Sequence, residues 1–242
     1  MIGAVRSELL RAVSGRVLLA MLALALMMPA ITLSAGGGAD DLAALGSADA
    51  TRRLIETLGW SFVAAAFGGA YTVTREDYWR SLDRTVVAVS FRCAFGAKVI
   101  AGSLFGVGLG IFGTAGWIGI AAVLLGRAGL VLDLAAVAPA TIAGALLGSA
   151  LGGISGAAVG WMVRNYYVAA ALVLAVPVAL ERGLAGVAPD VARYLPGRAL
   201  AALAGPVSQG EVLPVAAGLG VSAAWTAVLL AAAYVLARRR FR

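Results

Sequence analysis

The chain has 242 residues, of which 62% are hydrophobic and 13% are charged, and its mean hydropathy is +0.95. Soluble domains carry about 25% charged residues, so this composition excludes an ordinary soluble domain and indicates a polytopic membrane protein. The net charge is +7, and most of it comes from arginine. Because no soluble fold accompanies these basic residues, the charge indicates membrane orientation, and no nucleic-acid partner is expected.

Several classes of chemistry are excluded by missing residues. The chain has one cysteine, Cys93, and no histidine, so neither a disulfide framework nor a Cys/His metal cluster can form. A G-x-x-x-x-G-K-[ST] motif is absent and the only lysine is Lys98, which excludes P-loop binding of ATP. No serine nucleophile elbow or H-E-x-x-H pattern occurs either. We therefore expect a non-catalytic chain without a cofactor or metal of its own, and an intramembrane enzyme is disfavoured.

Six apolar blocks are long enough to cross a hydrocarbon core, which takes about 20 residues per helix. Since a spanning backbone must satisfy its own hydrogen bonds, the blocks are predicted to be helices. The sequence thus predicts an all-α, polytopic membrane protein with six transmembrane helices in one domain, residues 1–242. The predicted spans are residues 16–33, 57–73, 99–125, 134–163, 166–180 and 215–237.

Residues 1–15 place apolar side chains at spacings of three and four, opposite Arg6, Glu8 and Arg11. This pattern predicts an amphipathic helix lying in the membrane interface. The first 35 residues also have features of a signal peptide, with basic residues ahead of an apolar run. Because the charged part is long and helical in pattern, we expect the segment to be retained.

Orientation follows from the distribution of basic residues among the predicted loops. With both termini inside, 13 basic residues lie on the cytoplasmic side and 6 outside, whereas acidic residues divide as 4 inside and 8 outside. The positive-inside rule therefore places both termini and residues 74–98 in the cytoplasm.

Glycine occurs at every fourth position of the fourth predicted span, so that five glycines share one helix face. They are Gly144, Gly148, Gly152, Gly156 and Gly160. Small residues at this spacing allow a second helix to approach closely, as in the GxxxG motif, and close helix packing is predicted. One alternative is that the pattern only reflects the high glycine content of the chain, which has 32 glycines. Another is that this helix face contacts the substrate directly.

Residues 74–98 are the longest charged interruption between the apolar blocks, and we expect them to form a cytoplasmic platform. Residues 75–83 combine two aromatic side chains with charges of both signs. The candidate contact residues are Arg75, Glu76, Asp77, Tyr78, Trp79, Arg80 and Asp83. An exposed aromatic pair can fill a partner's pocket while charges set orientation, which favours a docking helix. The alternative is an aromatic belt at headgroup level. Residues 84–98 are typical of an amphipathic lead into the third span.

Residues 181–213 are too polar and too often interrupted by proline to cross a bilayer. Pro189, Pro196 and Pro206 break the segment, while regularly placed leucine and valine keep it half apolar. Two short helices that dip into the outer leaflet fit this pattern better than a free loop.

The order of these features resembles that of type-2 ABC transporter permeases, six-span membrane subunits common in bacteria. The resemblance covers essentially the whole chain: an amphipathic N-terminal helix, a cytoplasmic segment with glutamate that ends in lysine, and a polar outer segment between spans five and six. The most similar positions are Glu76, Ser81, Arg92, Lys98, residues 163–165, Glu181 and residues 191–197. Arg80-Ser81 stands where the family commonly has Gly-Thr.

The resemblance implies a subunit of an ATP-driven exporter in the bacterial cytoplasmic membrane, moving an amphipathic or lipid-like compound such as a drug, antibiotic or lipopeptide. It implies that residues 74–84 include a coupling helix seated in a separate ATPase subunit, present in two copies, which binds ATP and Mg. A second permease subunit, identical or a sister, and membrane lipids complete the assembly. The implied outer gate consists of Glu181, Arg182, Arg193, Tyr194 and Pro196.

A self-contained secondary carrier or a membrane scaffold is the alternative function. Carriers usually have inverted repeats, broken helices and ionisable groups near the bilayer midplane. No internal repeat is visible in this sequence, and Asp133, Glu181 and Arg182 all lie near predicted span ends.

Overall fold

The computed structural model describes residues 1–35, 40–137, 139–205 and 212–241. Every regular element within these ranges is helical, which confirms the all-α prediction. The α-helices are α1 (Ile2–Ala12), α2 (Val17–Ala35), α3 (Ser47–Glu56), α4 (Phe62–Tyr78), α5 (Leu82–Val89), α6 (Phe91–Arg127), α7 (Pro139–Val163), α8 (Tyr166–Ala175), α9 (Glu181–Val187), α10 (Pro189–Ala192), α11 (Pro196–Ala201) and α12 (Val215–Arg240). Short 3₁₀ helices lie at Asp40–Ala44, Thr57–Ser61, Leu134–Ala136 and Ala202–Ala204, and a π-helix lies at Val176–Leu180.

Five helical segments in the described ranges are long and apolar enough to cross a membrane, as a multi-pass membrane protein requires. They are Val17–Ala35, Phe91–Arg127, Pro139–Val163, Tyr166–Val187 and Val215–Arg240. The predicted second span, 57–73, has a different form. Its first residues belong to the 3₁₀ helix Thr57–Ser61, and the following α4 has 17 residues and ends in a charged turn.

The helix boundaries differ from the predicted ones where charges or prolines were taken as span ends. α6 begins at Phe91 rather than at residue 99, because the charge of Lys98 is paired inside the protein and does not end the helix. α7 begins at Pro139 rather than at residue 134, since Asp133 caps a separate 3₁₀ turn and proline suits the first helical position. The fifth segment continues beyond residue 180 to Val187 through the π-helix that contains Pro177.

α4 is the central helix of the bundle, and its close neighbours are α6 and α7. The glycine face of α7 lies against it. A Cβ on Gly156 would lie 1.8 Å from the carbonyl oxygen of Ala66, and one on Gly152 would lie 2.7 Å from that of Phe62. At the start of α7, a Cβ on Gly144 would lie 1.7 Å from the carbonyl oxygen of Leu203. Side chains are excluded there because the backbones themselves are in contact.

The helices form a bundle with two distinct ends. At one, here called the platform end, the α4–α5 turn meets α1, the α7–α8 turn and the C-terminal part of α12. At the other, here called the distal end, α3 and α11 pack on the bundle, and the indole of Trp117 donates a hydrogen bond to the carbonyl oxygen of Leu54 at 2.8 Å. The two ends carry different sets of the predicted functional residues.

Candidate functional site

The α4–α5 turn at the platform end is a tight, hydrogen-bonded reversal of the chain. The backbone amide of Ser81 donates to the carbonyl oxygen of Glu76 at 2.8 Å, and that of Arg80 donates to Asp77 at 3.0 Å. Arg80 has φ +52°, the left-handed conformation that commonly ends a helix in this hydrogen-bond pattern and that favours glycine. The turn therefore has a defined shape despite its arginine.

Two aromatic side chains project from this turn. Tyr78 is 61% exposed and Trp79 is 70% exposed. Their ring centroids are 5.3 Å apart and the ring planes are nearly perpendicular, at 89°, a favourable edge-to-face arrangement. Arg80 and Asp83 beside them are also exposed. The aromatic pair and its flanking charges thus form an accessible step, here called the aromatic step.

Glu76 and Asp77 lie beneath the aromatic step rather than on its surface. Asp77 accepts a hydrogen bond from Nε of Arg164 at 2.7 Å, which joins the α4–α5 turn to the α7–α8 turn. Glu76 is 5% exposed and accepts from Arg11 of α1. Arg75 is half-buried, and it donates to the carbonyl oxygen of Arg11 at 2.5 Å. These three predicted contact residues brace the step from inside the protein.

A buried ion cluster joins α1, α4 and α6 at this end; its charged members are Glu8, Arg11, Glu76 and Lys98. Lys98 is fully buried, and its Nζ lies 2.9 Å from Oε2 of Glu8 and 3.1 Å from Oε2 of Glu76. It also donates to the carbonyl oxygen of Thr72 at 3.0 Å. Buried charges are tolerated when they are paired and hydrogen-bonded. Two carboxylates and two cations make the cluster neutral.

The cluster brings one residue of the predicted polar side of α1, Glu8, into the bundle. The sequence pattern suggested that Glu8 and Arg11 lie on the water-facing side of an interfacial helix. Instead Glu8 is 5% exposed, whereas Ile2 on the apolar side is 89% exposed. The helix is amphipathic as predicted, but its carboxylate points into the bundle. A signal for this was present, because Lys98 is the only lysine and stands at the edge of an apolar run.

A cleft of about 560 Å³ opens between α1, the end of α4 and α5. It lies next to the buried ion cluster, and Arg11, Arg75 and Arg84 line it together with Trp79. Glu8 and Glu76 also line the cleft, and they are the carboxylates that Arg11 contacts there. Among the described residues, no group of three or more His, Cys, Asp or Glu side chains could hold a metal ion.

The predicted outer gate residues lie at the distal end. Glu181 is 1% exposed, and its carboxylate accepts hydrogen bonds from the backbone amides of Gly197 at 3.0 Å and Arg198 at 2.8 Å. It therefore holds the start of α11, where Pro196 is the first residue. Residues 206–211 of the predicted outer segment, including Pro206, lie outside the described residues.

The other gate residues surround the α10–α11 connection. Arg193 pairs with Asp190 at 3.4 Å, and its guanidinium lies 5.2 Å from the ring centroid of Tyr194. The carbonyl oxygen of Tyr194 accepts a hydrogen bond from the indole of Trp225 in α12 at 2.9 Å. Arg182 is half-buried. These contacts tie α10 and α11 to the fifth and last membrane-crossing segments.

Replacing Glu181 by glutamine should loosen α11 without unfolding the bundle. One carboxylate oxygen would become an amide nitrogen, which cannot accept the hydrogen bond from Gly197 or Arg198. Losing such a hydrogen bond to a charged group costs about 1.5–3 kcal/mol. Hydrogen exchange of residues 196–204 measures the effect, with faster exchange expected there and unchanged exchange in α4. Asp190→Asn, which removes an exposed acid nearby, is the control. Equal exchange in the two variants would show that Glu181 does not hold the segment.

Comparison of the sequence with protein-family models and with curated proteins found no match. The functional inference therefore depends on the residues and the geometry described above.

Proposed function

We propose that this chain is the membrane-spanning subunit of an ATP-driven ABC exporter and that it is driven by a separate ATPase subunit. The observation that carries the proposal is the aromatic step: Tyr78 and Trp79 are exposed on a turn that contacts from Glu76 and Asp77 brace from inside the protein. Exposed aromatic anchors on a rigid base are typical of the residues that dominate protein interfaces. An aromatic belt in the lipid interface does not require such bracing.

The bracing gives a physical route from the step to the bundle. A force on the α4–α5 turn passes into α4, the central helix, and through the Asp77–Arg164 pair into α7 and α8. It passes into α1 and α6 through Glu76, which contacts Arg11 and Lys98. In the proposed cycle, closure of two ATPase subunits on bound ATP and Mg moves the turn, and the helices rock between inward-open and outward-open arrangements.

The proposed topology has six spans and cytoplasmic termini in a bacterial plasma membrane. α4 and the preceding 3₁₀ helix supply the additional span. At 1.5 Å per residue, the 17 residues of α4 extend about 26 Å, and the 3₁₀ helix of five residues adds about 10 Å, which together exceed a hydrocarbon core of about 30 Å. α4 can be this polar at its end because its neighbours surround it. Pairing with a second permease subunit, identical or a sister, completes the proposed transporter.

The proposed cargo is an amphipathic or lipid-like compound. The support is the large apolar surface on the membrane-crossing helices. On α8 and the π-helix, for example, Tyr167, Leu172 and Leu180 line an open apolar groove of about 680 Å³. Such surfaces favour apolar compounds over sugars or ions.

Trp79→Ala tests the proposal, because truncating a central aromatic anchor typically costs an interface 2 kcal/mol or more. The chain is co-expressed with a candidate P-loop ATPase from a neighbouring gene, and both co-purification and stimulation of ATP hydrolysis are measured. We expect the ATPase to bind at least about thirtyfold more weakly, with the fold of the membrane chain unchanged. Phe112→Ala is the matched control, since Phe112 is 41% exposed but lies in the middle of α6, outside the α4–α5 turn.

Unchanged association and unchanged ATPase stimulation with Trp79→Ala would show that the aromatic step is not the coupling contact. Charge reversal at Glu76 is a poorer test, because this buried carboxylate contacts Arg11 and Lys98, and its reversal would disturb the protein itself. Asp83→Lys is a better charge variant, since the Asp83 side chain is 73% exposed.

A self-contained secondary carrier is the second candidate, and the buried ion cluster favours it. Carriers use paired ionisable groups inside the protein, usually near the bilayer midplane, to couple ion movement to transport. Lys98 with Glu8 and Glu76 is a paired group inside the protein, but it lies at the platform end. Uptake driven by an ion gradient into vesicles without ATP separates the two functions. Such uptake, abolished by Glu8→Gln, would favour the carrier over the exporter.

A further inference from the structure

The apolar side of α1 is left uncovered by the described part of the chain. Ile2 is 89% exposed, Leu10 is 60% exposed and Val13 is 48% exposed. This side and α6 enclose an open groove of about 540 Å³, a volume within the range of small-molecule sites, about 300–1,000 Å³. Val5, Arg6, Leu9, Leu10 and Ile100 are among the residues that line it.

The buried ion cluster holds this side of α1 outward. Glu8 contacts Lys98 and Arg11 contacts Glu76, so these two polar residues of α1 are held against the bundle. Rolling α1 to bury its apolar side would break both ion pairs. The described part of the chain therefore leaves the groove open.

The position of the groove indicates what its occupant is. Arg92 is exposed in the first turn of α6, Lys98 is paired inside the protein, and Ile100 lies in the apolar run that follows. The groove thus lies where a membrane-crossing helix changes from charged to apolar, the level at which lipid headgroups meet acyl chains. Arg6 is exposed at the groove, and its guanidinium can hold a phosphate with two hydrogen bonds.

We infer that the groove between α1 and α6 binds an anionic phospholipid. One acyl chain lies along Val5, Leu9 and Ile100, and the phosphate lies at Arg6. The inference does not depend on the proposed export function, because it uses only the orientation of α1 and the chemistry of the groove. The bound lipid would cover the apolar side of α1 and stabilise its contact with α6.

The purified full chain is titrated in detergent with dioleoylphosphatidylglycerol, and bound lipid is counted by native mass spectrometry. Dioleoylphosphatidylcholine tests the charge of the headgroup with the same chains, and glycerol 3-phosphate tests the headgroup alone. We expect the native chain to retain one phosphatidylglycerol more strongly than phosphatidylcholine or glycerol 3-phosphate. Arg6→Gln should bind phosphatidylglycerol about fivefold more weakly, which is the effect of one arginine near an anionic surface. Leu10→Glu, which places a carboxylate one helical turn from Arg6, should weaken it further. Arg127→Gln at the distal end is the control.

Four outcomes would overturn the inference. The first is equal retention of phosphatidylglycerol and phosphatidylcholine by the native chain. The second is equal binding of phosphatidylglycerol by Arg6→Gln and Arg127→Gln. The third is displacement of the lipid by glycerol 3-phosphate alone, which would indicate a site for a free anion. A dimer that forms through the groove when lipid is removed, and that Leu10→Glu abolishes, would identify a second copy as the occupant instead.

Discussion

Gly156→Ala should unfold or strongly destabilise the bundle, although it adds only one methyl group. The added Cβ would lie 1.8 Å from the carbonyl oxygen of Ala66 and 2.7 Å from its Cα, so α4 and α7 would have to separate along their shared length. Overpacking in a tight core costs about 1–3 kcal/mol and sometimes more. Because backbone rather than a flexible side chain blocks the site, we expect about 3 kcal/mol or more. Thermal unfolding in detergent measures it.

Gly108→Ala is the matched control for Gly156→Ala. Gly108 lies in α6, and nothing within 4 Å would meet an added Cβ. Alanine is favoured over glycine in a helix by up to about 1 kcal/mol, so the midpoint temperature should stay constant or rise slightly. If Gly156→Ala were as stable as Gly108→Ala, the close approach of α4 and α7 would be wrong.

Lys98→Gln should be the most damaging change at the platform end. The buried ion cluster would keep two carboxylates, those of Glu8 and Glu76, with Arg11 as their remaining cation. Removing one partner of a buried ion pair typically costs 3–5 kcal/mol, because the other charge stays buried without compensation. We expect a loss of stability of that size, measured by thermal or denaturant unfolding in detergent, and a release of α1 from the bundle.

The double variant Glu8→Gln/Lys98→Gln distinguishes a charge effect from a packing effect. It restores a neutral cluster, in which Glu76 is paired with Arg11. We therefore expect it to be more stable than Lys98→Gln alone, with a coupling energy of about 1–3 kcal/mol. Additive losses would mean that Lys98 acts by packing alone. Asp190→Asn, which breaks an exposed pair with Arg193, should cost about 1 kcal/mol or less.

The apolar blocks were sufficient to predict the helical class and most of the membrane-crossing segments. The prediction was least accurate where a charged residue was taken as a boundary. Lys98 was taken as the last residue of the cytoplasmic segment before the third span, yet α6 continues through it from Phe91. A sequence does not reveal whether a charge faces water or a buried partner, and here Glu8 of α1, 90 residues away, supplies that partner.

Some of the predicted contact residues at 75–83 are exposed and others are enclosed, and their spacing in the sequence does not indicate which. Tyr78 and Trp79 are exposed, while Glu76 is enclosed by α1 and α6 and Asp77 is joined to Arg164. Neighbours in the chain have opposite surroundings because α4 ends at this point and its last turn faces several elements at once. The outer segment shows the same limitation, since Glu181 and Gly197 are 16 residues apart in the chain and become hydrogen-bonded only when α11 folds back.

Composition and hydropathy by themselves determined that this protein is helical and lies in a membrane, because a backbone in hydrocarbon has few ways to satisfy its hydrogen bonds. Tertiary structure alone decided which side of α1 faces the bundle and which charged residues are buried. Those outcomes depend on pairing between Glu8, Glu76 and Lys98. Such pairing is a property of distances in space, and the order of residues along the chain does not contain it.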